Sequence, residues 1–296
     1  MNDDRDTRRL PLARIKGRGA ATNREGRFEP TRVEREDDGW FPEADLGAVA
    51  RPPTVVVAER ARSIISRNDS PDIPFAQSIN MYRGCEHGCF YCYARPTHSY
   101  LNLSAGLDFE TRLSAKTNAV EQLRIELAKP GYVCSTINLG ANTDPYQPIE
   151  REHRLTRGIL EVLAECAHPV TVITKNAMVE RDLDLLAAMA EKRLVQVFLS
   201  VTSLDNTLSS KMEPRASAPH RRIAAIRRLH EAGVPVGVFV APIIPMINDR
   251  DLEAVLEAAR DAGASSASYT IVRLPHELKA LFREWLAVHF PDRAAH

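Results

Sequence analysis

The sequence predicts an α/β fold, a partial (β/α)6 barrel of parallel strands with outer helices. From about residue 75, short apolar runs that suit strands buried on both faces alternate with longer amphipathic segments. Six such strand–helix units follow one another, the pattern of a parallel sheet or barrel. Length is the third observation. A full eight-unit barrel takes about 250 residues. The stretch 75–290 is shorter than that and suits six units.

Strand Ser78–Arg83 is followed by helix Thr117–Ala128, and Ser135–Ala141 by Arg151–Ala164. Val170–Thr174 precedes Val179–Glu191, and Val195–Thr202 precedes Pro219–Ala232. The last two units are Val234–Pro242 with Asp249–Ala262, and Ala267–Arg273 with Pro275–Val288. Gly233 and Gly263 directly follow two of these helices, where a left-handed C-terminal cap belongs. Asn248-Asp249 supplies an N-terminal cap. On Pro219–Ala232, Ile223, Ile226 and Leu229 face inward. Arg221, Arg222, Arg227 and Arg228 on that helix read as a solvated basic stripe.

Three segments follow from this reading. Residues 1–50 form a charged N-terminal arm, expected to be partly disordered alone, with Arg8, Arg9, Arg14, Lys16, Arg18, Arg24 and Arg27 making its start basic. Residues 51–74 are a lead-in, and 75–290 are the core barrel. Lys plus Arg equals Asp plus Glu at 39 each, which leaves no global field to gather nucleic acid or membrane. The longest apolar run, Val234 to Ile247, is broken by Pro235, Pro242 and Pro245 and is too short to span a bilayer. With no apolar stretch of signal-peptide type at the start, the protein is expected to be soluble and cytoplasmic, without membrane partners.

The most specific feature is Gly84-Cys85-Glu86-His87-Gly88-Cys89-Phe90-Tyr91-Cys92-Tyr93, a C-x3-C-x2-C pattern that offers three thiolates from one loop. A [4Fe–4S] cluster usually takes four thiolates, one per iron, so three leave one iron open to another ligand. Gly84 and Gly88 permit the tight backbone such a loop needs. A structural zinc site completed by His87 or His98 is the competing reading, and it would make the protein a non-catalytic zinc or iron–sulfur scaffold. A disulfide framework is disfavoured by the odd count of 5 cysteines.

C-x3-C-x2-C with an aromatic just before its last cysteine resembles the signature of the radical S-adenosylmethionine (SAM) superfamily. The resemblance implies a partial TIM-type barrel. It also implies a [4Fe–4S] cluster on Cys85, Cys89 and Cys92, and Tyr91 against the adenine of SAM. It further implies an electron donor such as flavodoxin or ferredoxin. The activity implied is reductive cleavage of SAM to a 5′-deoxyadenosyl radical that abstracts hydrogen from an unknown substrate.

Sites in such sheets gather at the carboxyl ends of the strands. There the sequence places Thr143 and Asp144, candidates for the SAM ammonium group, and Lys175, a candidate for its carboxylate. Ser200 and Thr202 share one strand face and are expected to reach SAM together.

The cysteine loop, Thr143-Asp144, Lys175, Met212-Glu213-Pro214-Arg215 and Arg221-Arg222-Ile223 are similar to spore photoproduct lyase and its relatives. Ala232-Gly233-Val234-Pro235 and Val240-Ala241-Pro242-Ile243 extend the likeness. In that subgroup the tyrosines matching Tyr91 and Tyr93 serve SAM binding and radical transfer, which makes Tyr93 the candidate catalytic residue. The resemblance raises nucleic-acid lesion repair or modification as an alternative function. One departure stands out. The lyase carries a hydrogen-donating cysteine just before its Thr-Ser-Asp, and the matching residue here is Ala141. Cys134 and Cys166 are expected at the opposite end of the sheet, too far to substitute.

Overall fold

In the computed structural model, which describes residues 12–28, 52–71 and 73–293, six parallel strands stand side by side in chain order. The described strands are β1 (Val55–Glu59), β2 (Ile65–Arg67), β3 (Gln77–Ile79), β4 (Tyr82–Arg83) and β5 (Arg112–Lys116). They continue with β6 (Ile137–Leu139), β7 (Val170–Thr174), β8 (Val195–Ser200), β9 (Val236–Ile243) and β10 (Ser266–Ile271). The main sheet runs β10-β9-β8-β7-β6-β3-β2, parallel from β10 to β3, with β2 antiparallel at the edge. It is the expected partial barrel. A smaller sheet, β1-β5-β4, flanks it.

The central strands are short β-branched and leucine runs because both faces are covered. Val170, Val172, Val195, Val197, Leu199, Val236, Val238 and Val240 are all buried in one core. Helix Leu155–Glu165 adds Ile159, Leu160, Val162 and Leu163, and helix Pro219–Glu231 adds Ile226 and Leu229. Each such side chain contributes about 1.5–3 kcal/mol by leaving water.

Three differences from the expected elements have local causes. The run Ser78–Arg83 divides into β3 and β4, because the Asn80 carboxamide oxygen accepts the backbone N–H groups of Asn142 (2.9 Å) and Thr143 (3.2 Å). The chain then leaves the main sheet and pairs with β5. The stretch Arg151–Ala164 breaks at Arg154, whose φ is 51°, into Glu150–His153 and Leu155–Glu165. Asn206–Met212 forms a further helix, capped by Asp205, which accepts from Thr207 N (2.7 Å).

The last helix, Leu278–His289, does not cover the strand before it. Its Trp285 stacks on Phe90 of the cysteine loop, ring centroids 3.8 Å apart, and donates to the Lys211 carbonyl (2.9 Å). Every residue of β10 is therefore exposed. Residues 12–28 correct the picture of a solvated arm, since Ile15, Arg18 and Ala20 are buried against the core. The rest of the arm, 1–11 and 29–50, lies outside the described residues.

Candidate active site

The loop 84–93 leaves β4 at the carboxyl end of the sheet, where the sequence placed it, and its backbone is held on every side. Cys85 N donates to the Phe109 carbonyl (2.9 Å) and Phe90 N to that of Met212 (3.4 Å). Gln147, fully buried, accepts from Glu86 N (2.9 Å) and donates to the Gly84 carbonyl (3.2 Å). Arg215 N donates to the His87 carbonyl (3.2 Å), and its guanidinium pairs with Glu86 (2.6 Å). Arg95, also fully buried, donates to the Cys89 carbonyl (2.8 Å) and pairs with Glu110. A loop fixed by this many partners is preorganised for a ligand.

The arm completes the enclosure. Glu110 accepts from Gly19 N (3.0 Å) and Ala20 N (2.9 Å). Gly19 lies so close to the loop that a Cβ on it would fall 1.6 Å from the Gly88 carbonyl oxygen. Gly88 itself has φ 68°, a conformation glycine adopts freely. Farther along, Thr22 donates to Glu284 (2.8 Å), and Arg24 pairs with the same carboxylate. The arm therefore spans from the cysteine loop to the last helix.

Thr143 and Asp144 stand in the turn after β6, but their side chains face protein. Asp144 accepts from Tyr146 N (2.8 Å), Thr174 Oγ1 (2.6 Å) and Lys175 N (2.7 Å), and lies 3.3 Å from His87 Nδ1. Burial raises its pKa, but His87 and these donors outweigh burial and hold it below the usual carboxylate range. These donors engage both of its oxygens. Thr143 is buried, and its hydroxyl donates to the Tyr82 carbonyl (3.3 Å).

At the centre of the site lies Glu213, a buried carboxylate that the sequence reading did not single out. It accepts the Tyr91 hydroxyl and the Thr202 hydroxyl (3.0 Å). It also pairs with Arg222 and lies 3.8 Å from Lys175 Nζ. Burial pushes its pKa up, yet Arg222 and Lys175 outweigh burial and leave the carboxyl below its ordinary value. Tyr91 and Thr202 thus share Glu213 as the acceptor of their hydroxyls. Arg222 is 1 % exposed, so the basic stripe loses that member to the interior. The signal was present in the sequence. Arg222 sits four residues before Ile226 and seven before Leu229, on the apolar face of its helix.

Lys175, just after β7, is partly buried, and its ammonium donates to the Ala241 carbonyl (3.4 Å) and lies 5.9 Å from the Tyr91 ring centroid. Ser200 is buried at the end of β8, and its carbonyl accepts from Arg222 (2.9 Å). Tyr93 is 59 % exposed, and its hydroxyl donates to the Ala141 carbonyl. Cys134 and Cys166 are exposed, at the residues leading into β6 and β7, on the opposite end of the sheet as expected.

The donor set fits a [4Fe–4S] cluster. Burial raises the pKa of the Cys85, Cys89 and Cys92 thiols, so they release their protons to solvent only when a Lewis acid such as a metal ion binds the sulfur. Each candidate fourth ligand for zinc has protein partners of its own. His87 lies between Asp144 and Asn176 Nδ2 (3.3 Å), and His98 Nε2 meets the Arg112 carbonyl (3.0 Å).

Comparison with known proteins identifies the family. The sequence profile described as Radical SAM superfamily matches residues 79–259. An uncharacterized protein of Mycobacterium tuberculosis is 37 % identical over 222 residues, 74 % of this chain. The chain spans 65 % of that relative's length. An uncharacterized protein of Methanocaldococcus jannaschii is 28 % identical over 194 residues, 66 % of this chain and 70 % of its own. Among solved structures, spore photoproduct lyase complexed with dinucleoside spore photoproduct superposes with a TM-score of 0.57 at 17 % identity, over 80 % of this chain and 66 % of the lyase chain. A lyase variant with bound AdoMet and dinucleoside spore photoproduct gives a TM-score of 0.57 at 18 % identity, with the same coverage. At these identities the likeness is one of fold.

Proposed function

Because the chain belongs to the radical SAM superfamily, we propose that it is an enzyme that binds a [4Fe–4S] cluster through Cys85, Cys89 and Cys92 and cleaves SAM reductively. The observation that carries the proposal is the set of three thiols, Cys85 and Cys89 buried and Cys92 partly so, on a clamped loop at the carboxyl edge of the barrel. When bound, the cluster and SAM supply an organic radical able to abstract hydrogen from a substrate; the protein positions them and excludes water. Lys175 takes the SAM carboxylate, with Thr143 and Ser200 at neighbouring strand ends. Asp144 and Thr202 act indirectly, by fixing the ends of β6, β7 and β8 around Lys175 and Glu213. A small reductant protein such as a flavodoxin or ferredoxin delivers the electron.

The test is anaerobic reconstitution with iron and sulfide, followed by dithionite, SAM and an assay for 5′-deoxyadenosine. Wild-type protein should hold about four irons per chain and form deoxyadenosine, and Cys89→Ala should form none. Zinc in place of iron, or cleavage retained in Cys89→Ala, would overturn the assignment.

A second reading concerns the substrate. The solved lyase structures carry a dinucleoside photoproduct, which favours a lesioned or modified nucleic acid. The chemistry would differ from that of the lyase, because Ala141 stands where a thiol returns hydrogen. Tyr93, whose hydroxyl reaches the Ala141 carbonyl, is the hydrogen donor on this reading. Deuterium carried from D2O into the product should then vanish in Tyr93→Phe, and its persistence would remove Tyr93 from that role.

A further inference from the structure

The described part of the arm ends at an aromatic pair on the rim of the barrel mouth. Phe28 and Tyr100 lie with ring centroids 5.4 Å apart and planes tilted by 42°. The Arg27 guanidinium sits 4.9 Å from one centroid and 5.0 Å from the other. Both rings face solvent, with Phe28 54 % and Tyr100 70 % exposed. The pair is assembled from three segments at the cluster end of the sheet. Tyr100 belongs to the 3-10 turn Arg95–Leu101, which follows Cys92. Phe28 belongs to the arm that packs on Gly88. Glu277, in the segment after β10, holds the two together by accepting from Arg27 N (3.1 Å) and Ser99 Oγ (3.3 Å). Its carboxylate also lies 3.7 Å from the Arg27 guanidinium and balances its charge.

We infer that Phe28 and Tyr100, with Arg27, form a stacking platform for a nucleobase of a single-stranded or flipped-out segment of a nucleic-acid substrate. The inference rests on the nucleic-acid reading above and adds a site to it. The chemistry selects this ligand class. An apolar protein partner would leave a guanidinium desolvated over the rings. A nucleotide uses both parts, since the base stacks on an aromatic face of any sequence while the guanidinium meets a phosphate. The platform's place at the mouth lets it hold a base next to the one presented to the site, as enzymes acting on bases require.

The test uses the full-length reconstituted holoprotein and fluorescence anisotropy of a short fluorescein-labelled oligothymidylate at low salt. The double substitution Phe28→Ala with Tyr100→Ala should weaken binding roughly 10- to 100-fold, the loss expected for one stacked base. Phe28→Trp and Tyr100→Phe should retain binding, because they keep the faces. Tyr100→Leu keeps apolar bulk without an aromatic face and should weaken binding, which preserves the test if the double variant fails to fold. The slope of affinity against salt should not change in the alanine or leucine variants, since stacking releases no counterions. Equal affinity in wild type and these variants would overturn the platform and leave the nucleic-acid reading standing. Absence of wild-type binding even at low salt would overturn that reading and the platform with it.

Discussion

Glu213→Ala is the perturbation that most directly probes how the site is built. The carboxylate is 2 % exposed and is the counter-charge of Arg222, itself 1 % exposed. Removing one partner of a buried pair strands the other charge, at a cost of about 3–5 kcal/mol. The Tyr91 and Thr202 hydroxyls lose their acceptor in the same step. For a domain of this size each kcal/mol moves the thermal midpoint by about 2–4 °C. The expected drop is therefore on the order of 10 °C, read by circular dichroism on the anaerobic holoprotein. Replacing the pair together, as Glu213→Gln with Arg222→Met, should recover much of the loss, because an apolar substitute removes the stranded charge. A midpoint for Glu213→Ala within about 2 °C of wild type would refute the view of Glu213 as the buried hub of this site.

Stability should depend on acid in a defined window. Glu213 and Asp144 both titrate below their ordinary values in the folded protein, so their contribution is complete above the unfolded pKa near 4 and is lost as pH falls through the folded values. Midpoints measured from pH 7 downward should stay flat to about pH 5 and fall below about pH 4; a flat profile to pH 2 would contradict the assignment. Gly19→Val should dislodge the arm from Gly88, since even a Cβ falls 1.6 Å from a carbonyl oxygen there. The cluster absorbance of that variant should then bleach in air several-fold faster than wild type, and an equal bleaching rate would show that the arm shields nothing. Lys175→Ala should weaken SAM binding by about 1.5–3 kcal/mol, the worth of a hydrogen bond to a charged group, measured by calorimetry on the holoprotein. An unchanged affinity would exclude Lys175 from the SAM carboxylate.

Much of this arrangement was legible in the sequence because it rests on periodicity and on a local motif. The runs Val170–Thr174 and Val195–Thr202 declared buried parallel strands by their mainly apolar, β-branched character, and β7 and β8 occupy them. The three cysteines were placed at the carboxyl end because their loop directly follows the first predicted strand. What stayed hidden depends on long-range pairing. Asp144 sits in a turn that fits an exposed carboxylate equally well, and only the proximity of β7 reveals that its oxygens are taken by Thr174 and Lys175. Glu213 meets Tyr91 across 122 positions of sequence. Arg222 was misread because a charged side chain suggests solvent, although its position on the helix faced the core. The arm read as charged and partly disordered because its contacts span about 90 positions of sequence, with the Gly19 and Ala20 N–H groups and the Arg18 guanidinium all meeting Glu110.

The diversion of the last helix onto the cysteine loop has a consequence for how the site opens. Trp285 on Phe90, and Glu284 holding Thr22 and Arg24, join the two described ends of the chain into one patch over the loop. Elements joined in this way tend to detach as one cooperative unit. Hydrogen exchange in residues 15–24 and in Leu278–His289 should then share a single opening free energy, lower than that of β7 and β8 in the core. Access to the cluster would be governed by fraying at the chain's extremities, while the barrel that carries the strand ends stays closed and intact.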